Sequence, residues 1–300
     1  VRLARWLLAL GLAASPWVPS AFAQSKPENV NSKAPAAPVA RKVACPGDMV
    51  AVRGTCIDRY EAYVVELLPN GRTRAHSPYE PIGQRRVKAM NARGRVPQGY
   101  ISRDEAEGAC LAAGKRLCSD VEWLTACKGR RETQWPYGDE RVPGRCNDRG
   151  TSSFNLLYGQ DGGPPPQSLY NHENMNDSRL NQLKGTLAKS GTFGRCKTSD
   201  GVFDMVGNLH EWTADPKGTF RGGYYLDVEI NGQGCEYRTT AHHARYHDYS
   251  TGFRCCKTPG AKPKKDDARV TAPKLETKPL KKKPAPKRAT TRPAPDAVPP

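Results

Sequence analysis

Ten cysteines stand between Cys45 and Cys256, and none lies outside that span. An even set of thiols spread along one stretch limits the chain to folds that bring distant segments within bridging reach. It also asks for an oxidising compartment. The first 23 residues answer that request. Arg2 and Arg5 precede a short apolar run from Trp6 to Ala14, and Ala21-Phe22-Ala23 forms a small-x-small site before Gln24. The apolar run is about half the length that spans a bilayer. The expectation is a cleaved secretory signal, no transmembrane anchor after cleavage, and a periplasmic or secreted protein. The cysteine-bearing stretch is long enough to bury a core of its own, so the bridges reinforce a fold rather than replace a core.

The rest of the chain divides by composition. Residues 24–43 are Ser, Pro, Ala, Asn and Lys without periodicity and read as a flexible linker. Residues 44–257 hold every cysteine and read as one folded domain. Residues 258–300 read as a disordered Lys/Pro-rich basic tail, because such a composition cannot bury enough apolar surface to offset its ordering entropy. Of the formal charge of +17, about half belongs to that tail, so basicity says little about the domain surface. Lys281-Lys282-Lys283 and Lys287-Arg288 carry no neighbouring aromatics, and nucleic acid, which gains from stacking, is not an expected partner. The tail reads either as an electrostatic tether to anionic envelope polymers or as a solvated spacer.

Two helices are signalled inside the domain. Ser102 and Glu105 form a capping box ahead of Ala106, Ala109, Cys110 and Ala113, with Gly114 as the stop. Ser119 and Glu122 form a second box ahead of Trp123, Leu124 and Cys127, with Gly129 as the stop. The i, i+4 rule puts Cys110 with Ala106, and Cys127 with Trp123, on inward faces. Strands are expected at Met49–Cys56, Tyr60–Leu67, Gly222–Leu226 and Gly252–Cys256. Residues 130–200 show little periodicity and are expected as irregular chain pinned between Cys146 and Cys196. The class is a mixed α+β fold.

Three segments go beyond a generic exported domain: residues 109–117 leading into Glu122-Trp123 and Cys127; Asp204-Met205-Val206-Gly207-Asn208-Leu209-His210-Glu211-Trp212; and Arg221-Gly222-Gly223, closing on Gly252-Phe253-Arg254-Cys255. In order and spacing they resemble the formylglycine-generating enzyme, or sulfatase-modifying factor, family. The resemblance implies a C-type-lectin-like, loop-rich α+β fold. It also implies two disulfides, Cys110–Cys255 and Cys127–Cys235. Six cysteines then remain, with fifteen possible connectivities. Cys45–Cys56 suits a hairpin, and Cys118–Cys256 with Cys146–Cys196 would complete the set.

Family oxidases use a pair of cysteines after the Arg-Gly-Gly element to hold copper(I), to which two thiolates are well matched. Counting from Arg221, the first position falls on Asp227, a hard carboxylate. The second falls within 231–235, where Cys235 is either a lone surviving thiol or the structural partner of Cys127. No CxxxxC pair exists, so copper is not an expected cofactor. Asp204, Gly207, Leu209 and Glu211, with Asn147, match calcium-binding positions of the family, and the resemblance implies a structural calcium ion. His242, His243 and His247 form an HHxxxH cluster; His242 and His247 can ligate zinc or copper if brought together, or all three simply line a groove. Tyr224 and Tyr225 join them as a possible ligand rim.

Three functions remain open. One is a non-catalytic binding or structural module with a protein or glycan ligand at the loops 130–200 and 226–250. A second is a divergent oxidase acting on a protein or small-molecule thiol. The third is an envelope assembly factor tethered by the tail.

Overall fold

The computed structural model describes residues 44–160 and 163–260. The expected signal and linker, and the tail beyond residue 260, lie outside the described residues.

The domain opens with a hairpin, β1 (Met49–Val52) and β2 (Thr55–Asp58), in place of the single strand expected there. Arg53 and Gly54 both sit at positive φ and reverse the chain, so Val52 pairs with Thr55 and Met49 with Asp58. Next, β3 (Ala62–Leu67) takes the centre of a three-stranded antiparallel sheet between β4 (Thr73–Ala75) and β5 (Val87–Asn91). Ala62 and Val64 alternate inward against Val87 and Ala89, as period-2 patterning requires.

Both capped helices form where their boxes place them. In α1 (Arg103–Ala112) the Ser102 hydroxyl accepts the Glu105 N–H, and the Glu105 carboxylate takes the Ser102 N–H at 2.9 Å. In α2 (Asp120–Lys128) Ser119 and Glu122 repeat the exchange. The buried faces are Ala106, Ala109 and Cys110 in the first helix, and Trp123, Ala126 and Cys127 in the second. The short strand β6 (Arg116–Leu117) joins them. Residues 130–200 are mostly irregular, with two short helices that the sequence did not signal, α3 (Ser153–Tyr158) and α4 (His172–Met175).

The C-terminal part supplies β7 (His210–Trp212), β8 (Phe220–Arg221), β9 (Arg238–Thr239), β10 (Thr251–Phe253) and β11 (Cys255–Lys257). One sheet runs β10-β7-β8-β9, with β10 and β7 parallel. Another runs β1-β2-β11-β6, so the last described strand closes onto the opening hairpin. The strand expected at Gly222–Leu226 is instead a turn. Gly222 and Gly223 both have positive φ, and a Cβ on Gly223 would meet the Asp227 carbonyl oxygen at 2.2 Å.

Five disulfides tie these elements: Cys45–Cys56, Cys110–Cys255, Cys118–Cys256, Cys127–Cys235 and Cys146–Cys196. The structure thus brings together each of the five pairs expected from the sequence. Successive strand residues face opposite sides, so Cys255 bridges to α1 while Cys256 bridges to the chain just before α2. The two apolar clusters lie on those two sides: one gathers Ile57, Trp123, Trp135 and Met205, the other Ile101, Leu117, Trp212 and Phe253. A third, aromatic cluster holds Tyr100, Phe154, Tyr225 and Tyr249.

Candidate functional site

The Arg-Gly-Gly turn, the His-Glu-Trp strand and the Gly-Phe-Arg strand meet at the centre of the domain. Arg254 is fully buried and closes on Glu211 with both faces of its fork, Nε to Oε2 at 2.5 Å and Nη2 to Oε1 at 2.6 Å. The Trp123 indole N–H donates to the same Oε2 at 2.7 Å. The remaining Arg254 donors reach the carbonyls of Asp58 and Phe203. One ion pair thereby ties α2, β7 and the strand junction before β11. A buried pair of this kind gains its worth from full hydrogen bonding of both partners, which it has.

Asp227 sits in the turn after Gly223. Its Oδ1 accepts the N–H groups of Glu229 and Ile230 at 2.9 and 3.0 Å, and its Oδ2 accepts the Tyr237 hydroxyl at 2.8 Å. Every one of these contacts organises the turn. Cys235 is buried and bridged to Cys127, with the Cα atoms 5.6 Å apart. The reading of Cys235 as a lone reactive thiol therefore fails, because its sulfur is already spent. Above the turn lies His210, buried among Phe220, Tyr224 and Tyr237 at ring separations of 4.4, 4.9 and 5.4 Å. Burial, assisted by nearby His242, pushes its imidazole down to about 3, so it is neutral at pH 7. Burial lifts the Tyr224 phenol to about 12.

The expected rim divides. Tyr224 is half-buried, but Tyr225 is fully buried, its hydroxyl 3.0 Å from that of Ser153. Tyr225 is therefore corrected to a core residue of the aromatic cluster. Tyr237 and Tyr249 are buried as well. His242 stacks on Tyr246 at 3.8 Å and on Phe220 at 5.7 Å. His247 turns the other way. Its Nδ1 lies 2.7 Å from the Asn176 side-chain oxygen and its ring 5.0 Å from that of His172. His243 is exposed. The three histidines thus go to three environments, and among the described residues no group of three or more His, Cys, Asp or Glu side chains is placed to hold a metal.

The residues matched to calcium positions lie close to Arg254. Gly207 has a φ of 76°, and a Cβ there would meet the Asn147 carbonyl oxygen at 2.2 Å, so only glycine lets the loop approach Asn147. The Asn147 carbonyl accepts the Asn208 N–H, and its side-chain amide donates to Asn208 Oδ1 at 2.8 Å and to the Thr186 carbonyl at 2.9 Å. Leu209 is buried beside them. Asp204 Oδ2 accepts the Gly191 N–H at 2.6 Å. Glu211 accepts three N–H donors on its two oxygens, which makes it the partner of Arg254 rather than an open ligand.

Sequence reasoning missed Glu61. Its Oε2 accepts the Asn208 amide at 2.7 Å, while its buried Oε1 has no partner among the described residues. Burial, with the like charges of Asp204 and Glu211, raises the Glu61 carboxyl well above the usual carboxylate range. Burial raises Asp204 to about 7. Three buried carboxyls therefore face one guanidinium. Of the calcium set, Glu211 has both oxygens taken by N–H donors, whereas the neighbouring Glu61 keeps one oxygen without a donor. The only advance signal was an acid immediately before an inward-facing strand alanine.

These features define a loop-rich α+β domain whose central turn is held by carboxylate contacts and whose sulfurs are all paired. Residues 50–259 match the sulfatase-modifying factor enzyme 1-like domain, well over half of the chain, and the chain belongs to that family. The mixed α+β class expected from the sequence is the class observed. Two relatives are named Inactive C-alpha-formylglycine-generating enzyme 2. The Mus musculus protein is 25% identical over 191 residues, covering 57% of this chain and 52% of the relative. The Bos taurus protein is 24% identical over 186 residues, covering 56% and 52%. The chain spans about half the length of the curated relatives it matches. Among solved structures, the Major Tropism Determinant I1 Variant superposes with a TM-score of 0.40 at 12% identity, covering 72% of this chain and 54% of that one. At that score the likeness stands by itself, and membership rests on the family match.

Proposed function

We propose that this protein is a non-catalytic binding or structural module of its family, working in the periplasm or outside the cell. The observation that carries the reading is that all ten cysteines are paired; by the count from Arg221, Asp227 falls where the resemblance implies the first catalytic cysteine. Two-sulfur copper chemistry then has no thiolate to use. The word "inactive" in the names of both relatives supports the same reading. Five disulfides favour an oxidising compartment, and among the described residues no helix is long and apolar enough to cross a membrane. The test uses the full chain, purified without reductant, with copper(I), oxygen and a CxPxR cysteine peptide. Mass spectrometry is expected to return the peptide unchanged. Conversion of its cysteine to the aldehyde would end the proposal.

In this reading the irregular loops present the ligand surface, with Tyr170, Leu226 and Ile230 exposed on them. A protein or glycan is the ligand class, and the basic tail adds affinity for anionic envelope polymers. Calcium is a structural companion: Asp204 and Glu61 would hold it, with carbonyls of the 207–209 loop as neighbours. The ion would balance buried charge and order the loop. A rise in melting temperature with calcium over chelator, lost in Glu61→Gln, is the expected result.

A further inference from the structure

The chain contains the same tripeptide twice, Gly144-Arg145-Cys146 and Gly194-Arg195-Cys196. The disulfide between the two cysteines, with Cα atoms 4.8 Å apart, joins the copies, so the preceding arginines are neighbours through a covalent bond. Residues 142–145 on one side and 193–195 on the other line an open cleft of about 320 Å³.

Neither guanidinium is spent elsewhere. Among the described residues, Arg145 and Arg195 enter no ion pair and no side-chain hydrogen bond. The nearest acid along the chain is committed. Asp148 accepts the Gly144 N–H at 2.7 Å and pairs with Arg141, which also pairs with Glu229. Arg145 is held in place without being neutralised. Its Cζ lies 4.8 Å from the centre of the Tyr137 ring, which stacks on Trp135 at 6.3 Å, and Arg141 covers Trp135 at 5.9 Å. An arginine over an aromatic ring keeps its in-plane N–H fork available. Phe193 is half-buried and packs on the core, adding an apolar wall to the cleft.

Two unpaired cations that line one cleft attract an anion. Its shape follows from counting acceptors. A carboxylate has two oxygens, which one arginine fork already saturates. A sulfate or phosphate monoester presents three terminal oxygens and can offer an edge to each fork. We propose that the Arg145–Arg195 cleft is a binding site for a sulfate or phosphate monoester group, with Phe193 packing on the carrier beside the ester oxygen. The cleft uses none of the residues of the central turn, so it does not depend on whether the domain is catalytically silent.

The test is calorimetric titration of the full oxidised chain at physiological salt with phenyl phosphate, phenyl sulfate, inorganic phosphate, inorganic sulfate and benzoate. The phenyl esters are expected to bind, benzoate about tenfold or more weaker. Arg145→Gln/Arg195→Gln is expected to lose about tenfold or more in ester affinity with its melting temperature unchanged. Phe193→Ala should weaken the phenyl esters but not the inorganic ions, which separates an ester site from one for the free ion. Arg85→Gln, remote in sequence and still cationic around it, should leave binding intact. Equal binding by the double arginine variant would show the uptake to be general attraction to a basic protein and overturn the proposal. Benzoate binding as tight as the esters would overturn the acceptor argument.

Discussion

Removing Cys110–Cys255 is expected to destabilise the domain less than removing Cys146–Cys196, although the first bridge spans 145 residues and the second 50. In the chain-entropy account a bridge stabilises in proportion to the logarithm of the loop it closes in the unfolded chain, which ranks the 145-residue loop at about 5 kcal/mol and the 50-residue loop at about 4. The bridges form a network, however. With Cys118–Cys256 intact, Cys110 reaches Cys255 by eight steps to Cys118, the bridge, and one step back from Cys256. Closing so short a loop contributes only about 2.5 kcal/mol. Cys146–Cys196 has no such shortcut, since the detour through Cys127–Cys235 is longer than the direct loop. All four cysteines are fully buried, so alanine pairs lose similar packing and the difference of about 1.5 kcal/mol is entropic. Urea unfolding of the full chain without reductant, followed by tryptophan fluorescence, compares wild type with C110A/C255A and C146A/C196A. A loss in C110A/C255A equal to or larger than that in C146A/C196A would refute the network argument.

Arg254→Met strands the Glu211 carboxylate beside two other buried acids and is expected to cost about 3–5 kcal/mol in urea unfolding; a loss under about 1 would count against the central ion pair as drawn. Gly207→Ala places a Cβ 2.2 Å from the Asn147 carbonyl oxygen in a left-handed conformation, and a calorimetric melt should show more than about 2 kcal/mol of destabilisation. At Glu122 burial acts to raise the carboxyl, but Arg116, the Ser119 N–H and the Thr55 hydroxyl outweigh it and hold it at about 2 against an ordinary 4.5. Its stabilisation is therefore present above about pH 4.5 and lost as pH falls to about 2. Being half-exposed, it is worth about 1–2 kcal/mol over Glu122→Gln, and the two proteins should converge in acid unfolding at the bottom of that window.

Local chemistry made the two helices legible, because a capping box needs only four residues and each box places its own hydrogen bonds. The inward faces of α1 and α2 made it legible that Cys110 and Cys127 are buried; their partners came from the family resemblance, and the other three pairs stayed open among fifteen connectivities. The strands were less so. Several are two or three residues long, and at that length period-2 alternation has nothing to repeat. Gly222–Leu226 carries strand-like tyrosines, yet two positive-φ glycines commit it to a turn. Tyr225 looked like a surface rim residue because a polar hydroxyl in loop context reads alike whether the ring faces water or its neighbours. Glu61 was silent for a related reason: a lone acid gives no hint that Asp204, far along the chain, will be folded against it. His247 found its partner in Asn176, at the end of a helix the sequence did not announce.

Strand β11 carries adjacent half-cystines that leave on opposite faces, one to each side of the core. A pull entering the chain beyond Lys257 would therefore reach covalent anchors within two residues, with only the Lys257 end of the ladder able to unzip first. Load would pass directly into α1 and the base of α2, and the domain would behave under tension as a riveted block. For anything held by the polypeptide that follows, this end of the domain is a fixed mooring.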